Sequence, residues 1–154
     1  IAVAYAGLQW MHYFREVNVS MITIYKVPGH SVIDLIDNGQ AFCLSDSVIR
    51  RDEESLRYHV TPNRLMAGVG TLRGDIPIVR SLKGCQLMVW HGKKILLLTD
   101  GNFQVPDGFV VDWLIIGNNV ADVSRIRDGI ICQKVILDSS NTFFFASRFL
   151  EAAK

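Results

Sequence analysis

The sequence predicts an α/β (α+β) domain, an antiparallel opening followed by a strand–helix–strand–helix unit, and three observations lead there. Short strand-like runs separated by turn residues fill the first third of the chain. From residue 109 the texture changes to apolar runs joined by helical segments, as a βαβα unit requires. The length of 154 residues, with 49% hydrophobic and 20% charged residues, suits one domain with a real core and argues against disorder.

Residues 1–18 predict a helix, because Trp10, Tyr13 and Phe14 fall on one face at i, i+3, i+4 spacing. An amphipathic helix packed on the domain fits this pattern. The end of a membrane helix, with aromatics at the lipid–water boundary, fits it as well. The chain starts without Met and reads as an excised or processed piece. No basic stretch precedes the apolar start, so a signal peptide matches poorly. No run reaches about 18 consecutive apolar residues, so no complete membrane span is predicted.

Three strands are predicted next, at 21–27, 31–37 and 40–46. Pro28-Gly29 separates the first two. Asn38-Gly39 predicts a tight hairpin between the second and third, since this pair tolerates positive φ at both central positions. Residues 47–59 predict a helix capped by Ser45, Asp46 or Ser47, with a solvated face of Arg50, Arg51, Asp52, Glu53, Glu54 and Arg57. Residues 60–84 read as loop, given Pro62, Pro77 and several glycines, with one short strand at 76–82. A hairpin follows, with strands at 85–91 and 94–100 around a turn at Gly92-Lys93. The run Phe109–Gly117 predicts a strand buried on both faces. Residues 120–128 predict a short helix, 134–138 another buried strand, and 142–153 a helix.

Composition excludes several functions. A net charge of +1 gives no broad electrostatic footprint for nucleic acid, which leaves only local patches. Cys43, Cys85 and Cys132 lie far apart without CxxC spacing, so they predict small buried hydrophobes rather than zinc ligands or a disulfide framework. The phosphate-loop, GxGxxG and GxSxG signatures are absent. His12, His30, His59 and His91 are isolated from one another, whereas a zinc site needs three or four converging donors.

The informative stretch is Val111-Asp112-Trp113-Leu114-Ile115-Ile116-Gly117-Asn118-Asn119-Val120-Ala121-Asp122-Val123, an apolar strand running into a polar loop and a helix. It is similar in position to the HxHxDH signature of metallo-β-lactamase-like hydrolases. On that pattern Asn118 and Val120 stand where the first two histidines would be. Asp122 matches the aspartate, and Val123 replaces the last histidine. Three of four ligands are thereby lost, two of them to valine, which has no donor atom.

Residues 21–47 resemble the opening meander of the hydrolase-like domain of ComEC-type competence proteins, polytopic membrane proteins of DNA internalisation. The VGQGD-like turn of that family becomes Val27-Pro28-Gly29-His30-Ser31 here, and its Leu-x-Asp strand end is Leu44-Ser45-Asp46. KVILDSSN (134–141), the hairpin around Trp90-His91-Gly92-Lys93-Lys94 and the Val111–Asn119 stretch resemble the divergent form of the same domain. The resemblance covers about 21–153. It implies a degenerate metallo-β-lactamase-like layered fold over 19–154, with residues 1–18 as a membrane-proximal or packing helix. It also implies further strands beyond the helix at which the chain stops, and an extracytoplasmic (periplasmic) location on the inner membrane.

Function follows as expectation. The leading one is a non-catalytic domain of a membrane DNA-uptake protein, without metal or cofactor, beside the channel part of its parent. Its role is scaffolding or weak, sequence-independent contact with incoming DNA. Asp46, Asn118, Asp122 and Asn141 fall at predicted strand C-terminal ends, where α/β sites collect. They mark either a vestigial pocket or plain helix caps and turn formers. His91, Lys93 and Lys94 are the candidate DNA contact, with Arg73, Arg80 and Lys83 as candidates to extend it; the competing reading is a solvated basic turn. Phe143, Phe144 and Phe145 read as helix packing rather than base-stacking platforms. Two alternatives remain: a metal-dependent phosphodiesterase or nuclease with donors from Asp46, Asp122, Asp138 and His30 or His91, and an unrelated α+β domain.

Overall fold

The computed structural model describes residues 20–74, 79–120 and 123–154. The predicted helix at 1–18 and the candidate Asp122 lie outside them. The chain divides into two compact units. One contains residues 20–26 and 32–74; the other contains 27–31 and 79–154. Among the described residues two sheets and four helices form, a mixed α+β architecture. No described helix is long and apolar enough to cross a membrane.

The first unit holds the predicted meander. Strands β1 (Ser20–Ile24), β2 (Val32–Asp37) and β3 (Gln40–Ser45) pair antiparallel in sequence order. Asn38 and Gly39 have φ of 48° and 74°, the two left-handed positions that a tight hairpin requires. Central β2 is buried along Val32–Ile36, so its alternate residues fill both faces.

The predicted helix at 47–59 is instead two pieces. A 3-10 turn, Ile49–Arg51, precedes helix α1 (Glu53–His59). Asp52 divides them, because its carboxylate accepts from Ser55 N–H at 3.1 Å and caps α1. The reading of 60–84 as loop with one strand is also corrected. Helix α2 (Thr61–Met66) starts there with Pro62 in its first turn, where a missing N–H costs nothing. Strand β4 (Thr71–Arg73) then adds to β3 in parallel.

The second unit carries a five-stranded sheet, β5 (Val79–Leu82), β6 (Cys85–Trp90), β7 (Lys93–Leu98), β8 (Phe109–Ile116) and β9 (Ile130–Leu137), in that order. Its first three strands are antiparallel and its last three parallel. Helices α3 (Val123–Gly129) and α4 (Phe143–Ala152) complete the predicted βαβα unit. Ile126 of α3 and Phe149 of α4 join Leu96, Leu98, Leu114 and Ile116 in one buried cluster.

Three details differ from expectation. The hairpin turn is His91-Gly92, with φ of 46° and 77°, and Lys93 pairs with Trp90 inside the ladder. Strand β9 begins four residues earlier than predicted and, apart from Ile130, is not buried. It is the sheet edge, and Ile131 and Val135 remain exposed. Strand β8 is covered on both faces only over Leu114–Ile116, while Val110 is exposed. The cysteines are free thiols; Cys85 is buried and Cys43 and Cys132 half-buried. Burial pushes all three thiols above the ordinary cysteine value, though only Cys85 is the fully buried small hydrophobe expected.

Candidate functional site at the ends of two parallel strands

Parallel strands β8 and β9 end side by side, and their following loops interlock. Gly117 leaves β8 with its N–H on Leu98 O at 3.3 Å, and Asp138 leaves β9 with its N–H on Ile116 O at 3.1 Å. Asn118 and Asn119 then both take left-handed conformations, at φ 53° and 55°. Asparagine tolerates this region better than other residues with a Cβ, which makes the double turn accessible.

Each polar side chain of the second loop holds backbone of another segment. Ser140 Oγ accepts from Asn118 N–H at 2.8 Å. Asn141 Oδ1 accepts from Asn119 N–H at 2.8 Å, and its Nδ2 donates to Ile116 O at 2.6 Å. In return, Asn119 Oδ1 accepts from Thr142 N–H at 2.9 Å. Thr142 Oγ1 caps α4 by accepting from Phe145 N–H at 3.2 Å. Ser139 secures the Val27–His30 turn: its Oγ accepts from Val27 N–H at 3.0 Å, and its carbonyl accepts from Gly29 N–H at 3.1 Å. Two segments over a hundred residues apart in sequence thus meet within this unit.

Asp138 lies under the knot, 6% exposed. Its Oδ1 accepts from Ser140 N–H at 3.0 Å and from the Ser140 hydroxyl. Its Oδ2 is buried and has no hydrogen-bond partner among the described residues. A Cβ added at Gly117 would come within 2.8 Å of Ser140 Oγ and 3.0 Å of Asp138 Oδ2, so glycine is what lets the two loops close.

Of the residues proposed for a polar pocket, Asn118 and Asn141 join this knot. Asp46 belongs to the other unit, where its Oδ1 accepts from Val48 and Ile49 N–H at 3.0 and 2.9 Å and starts the 3-10 turn. Asp122 lies outside the described residues. Val120 and Val123 line a groove beside α4. Among the described residues no three His, Cys, Asp or Glu side chains gather as a metal site would need. Sequence reading passed over Asn119, Ser139 and Ser140. The Ser-Ser-Asn run straight after an apolar strand was their available signal, since such residues bond to nearby backbone.

The basic hairpin stands at the other end of β7. His91 occupies the turn itself, with its ring edge-on to Trp90 at 5.0 Å. Lys93 Nζ lies 3.1 Å from Asp112 Oδ1, and Asp112 Oδ2 accepts from Lys94 N–H at 2.8 Å. That backbone bond first, and Lys93 second, hold the Asp112 carboxyl below the usual carboxylate range. Lys93 is therefore partly neutralised by a residue that the sequence reading had not paired with it.

The packing reading of Phe143–Phe145 holds only for Phe145, which stacks toward Phe149 at 6.0 Å. Phe143 and Phe144 are 87% and 70% exposed. Phe144 lines the groove beside α4 together with Phe145 and Phe149.

Compared with known protein families, residues 22–154 match the model described as the ComEC C-terminal domain. No curated protein and no solved structure is matched.

Proposed function

The chain belongs to the ComEC C-terminal domain family, a family of membrane competence proteins acting in DNA uptake, and from that membership we propose that it is a non-catalytic domain of such a protein. In this reading it lies on the extracytoplasmic side, beside the channel part of its parent. It scaffolds the uptake machinery and makes weak contact with incoming DNA. The interlocked loops after β8 and β9 carry the non-catalytic part. In the loop where a hydrolase would present metal ligands, Ser140 and Asn141 hold the Asn118 and Asn119 N–H groups, Asn141 also holds Ile116 O, and the Asn119 side chain is engaged by Thr142 N–H. Valine at 120 and 123 offers a metal no donor atom. Without a bound metal there is no activated water at neutral pH and no Lewis acid for the charge of phosphoryl transfer.

Elemental analysis tests this directly. The protein purified without chelator is expected to carry no stoichiometric zinc, manganese or iron. One metal per chain, lost on Asp122→Ala, would overturn the reading. The metal-dependent phosphodiesterase remains as a second reading for one reason, the buried Oδ2 of Asp138, which has no hydrogen-bond partner among the described residues. The same measurement decides against it or for it.

For DNA contact, the hairpin residues His91, Lys93 and Lys94 are the proposed site. Contact through phosphates makes binding independent of sequence and sensitive to salt. With few phosphates engaged, log affinity is expected to fall with log salt at a slope on the order of −2 to −3. Charge reversal of Lys93 and Lys94 together is expected to abolish the binding, read as fluorescence anisotropy of a labelled duplex. Unchanged affinity in that double variant would refute the hairpin as the contact.

A further inference from the structure

The root of the His91-Gly92 hairpin carries a carboxylate as well as two lysines. Asp112, near the start of β8, places Oδ1 3.1 Å from Lys93 Nζ. Its Oδ2 accepts from Lys94 N–H at 2.8 Å. The Asp112 side chain is 19% exposed and that of Lys93 50%, so the pair stands at the surface where a ligand could reach it. The parallel pairing of β7 with β8 begins one residue further on, at Ile95 and Trp113. Lys94 N–H therefore lies just before the ladder, and the Asp112 side chain accepts it there. That bond ties the carboxylate down, so it does not swing away when an anion approaches Lys93. A neutral amide oxygen would satisfy the same N–H. The backbone thus requires an acceptor at this position and does not require a negative charge.

We propose that Asp112 is a built-in brake on the hairpin, a fixed negative charge that keeps the phosphates of incoming DNA weakly held. The inference rests on the DNA contact proposed above and adds the residue that sets its strength. A phosphate that reaches Lys93 has to share the ammonium with Asp112, and it meets a like charge at close range. Charges at the edge of a contact act mainly on encounter and salt dependence, which is where the brake should show. A strand drawn past the domain has to be released as readily as it is caught. A half-neutralised lysine suits that task better than a free one.

The test uses the 154-residue chain and a labelled duplex, read by fluorescence anisotropy over a range of salt. Asp112→Asn keeps an oxygen for Lys94 N–H and removes the charge. It is expected to bind roughly threefold to tenfold tighter than the parent. The fall of log affinity with log salt should steepen by about one, because Lys93 then engages a phosphate in full. A purely structural role for Asp112 would leave that slope where it is. Asp112→Ser, which removes the charge with a shorter acceptor, should repeat the gain. Asp100→Asn is the control. It changes the net charge equally, but Asp100 lies exposed past the other end of β7. That is roughly 20 Å away by the rise of a strand, beyond the screening length at physiological salt. Its affinity should match the parent. A gain in Asp112→Asn no larger than in Asp100→Asn would overturn the brake, and the hairpin contact would stand if charge reversal of Lys93 and Lys94 still abolishes binding. Weaker binding by Asp112→Asn would make the carboxylate a support of the contact and overturn the brake as well. A gain that persists when Lys93 and Lys94 are reversed would move the contact off the hairpin and remove both readings. Absence of duplex binding by the parent and by Asp112→Asn alike would also remove both.

Discussion

Arg64→Ala is expected to destabilise the first unit by about 3–5 kcal/mol, because it strands a buried carboxylate. Asp34 sits on central strand β2 and is fully buried. Arg64, on α2, meets it with Nε at 2.6 Å from Oδ2 and Nη2 at 2.8 Å from Oδ1. The Tyr25 hydroxyl donates to Asp34 Oδ2 at 2.8 Å. Burial first, and the adjacent Asp34 second, push the Tyr25 phenol well above its ordinary value, so it stays a donor at every working pH. The planar guanidinium is suited to this site because its fork matches both carboxylate oxygens. The pair as a whole need not stabilise the fold relative to apolar residues, since removing two charges from water has its own large cost. Two variants therefore separate the effects. Arg64→Ala leaves the charge uncompensated, whereas Asp34→Leu with Arg64→Met removes both charges and should recover most of the loss. Urea unfolding at neutral pH reads both. A loss below about 1 kcal/mol for Arg64→Ala, the range of an exposed pair, would show that water reaches Asp34 and sink the argument.

That ion pair also shows where sequence reading stops. Asp34 stands in a strand whose apolar neighbours were legible, but its partner lies thirty positions on, in a helix that Pro62 disguised as loop. Pro62 predicts a break from sequence, although at the first turn proline begins a helix as readily as it ends one. The meander is legible because Asn38-Gly39 carries a local signal between short apolar runs. The βαβα unit was legible because β8 is a long apolar run. Burial of β9 was misjudged because KVIL has the composition of a covered strand, while exposure depends on its place at the sheet edge. At the candidate site, Asn118 and Asn141 were picked by position at strand ends. That they would serve to hold two loops together depends on a contact across more than twenty residues, which no local pattern encodes. Phe143, Phe144 and Phe145 are alike in sequence and differ only in which side of α4 meets the core.

Gly84→Ala is expected to cost about 2–4 kcal/mol, from left-handed strain together with overpacking against backbone. Lys83-Gly84 links β5 to β6, in a two-residue turn between the paired Leu82 and Cys85. Lys-Gly lacks the Asn-Gly signal, and the sequence reading treated it as loop. Gly84 has φ +70°, and an added Cβ would lie 2.7 Å from both the N and the Cα of Phe103, with Asp100 O at 3.1 Å. Backbone cannot swing aside as a side-chain tip can. The loop it touches is tied at both ends: Gly84 O accepts from Thr99 and Asp100 N–H at 3.0 and 3.1 Å, and Arg125 stacks on Phe103 at 4.1 Å. Arg125 also donates to Phe103 O at 3.0 Å and to Gly101 O. Displacing Phe103 therefore disturbs the seat of α3, the helix that follows the Asn118-Asn119 loop. Gly92→Ala supplies the control. Gly92 has φ +77° with nothing within 4 Å of an added Cβ, so it should show the strain alone, about 1 kcal/mol. Hydrogen exchange should quicken at residues 99–104 and in α3 for Gly84→Ala and not for Gly92→Ala. Equal losses in the two variants would mean that the loop yields freely, and that the close approach of Gly84 to Phe103 does not hold α3 in place.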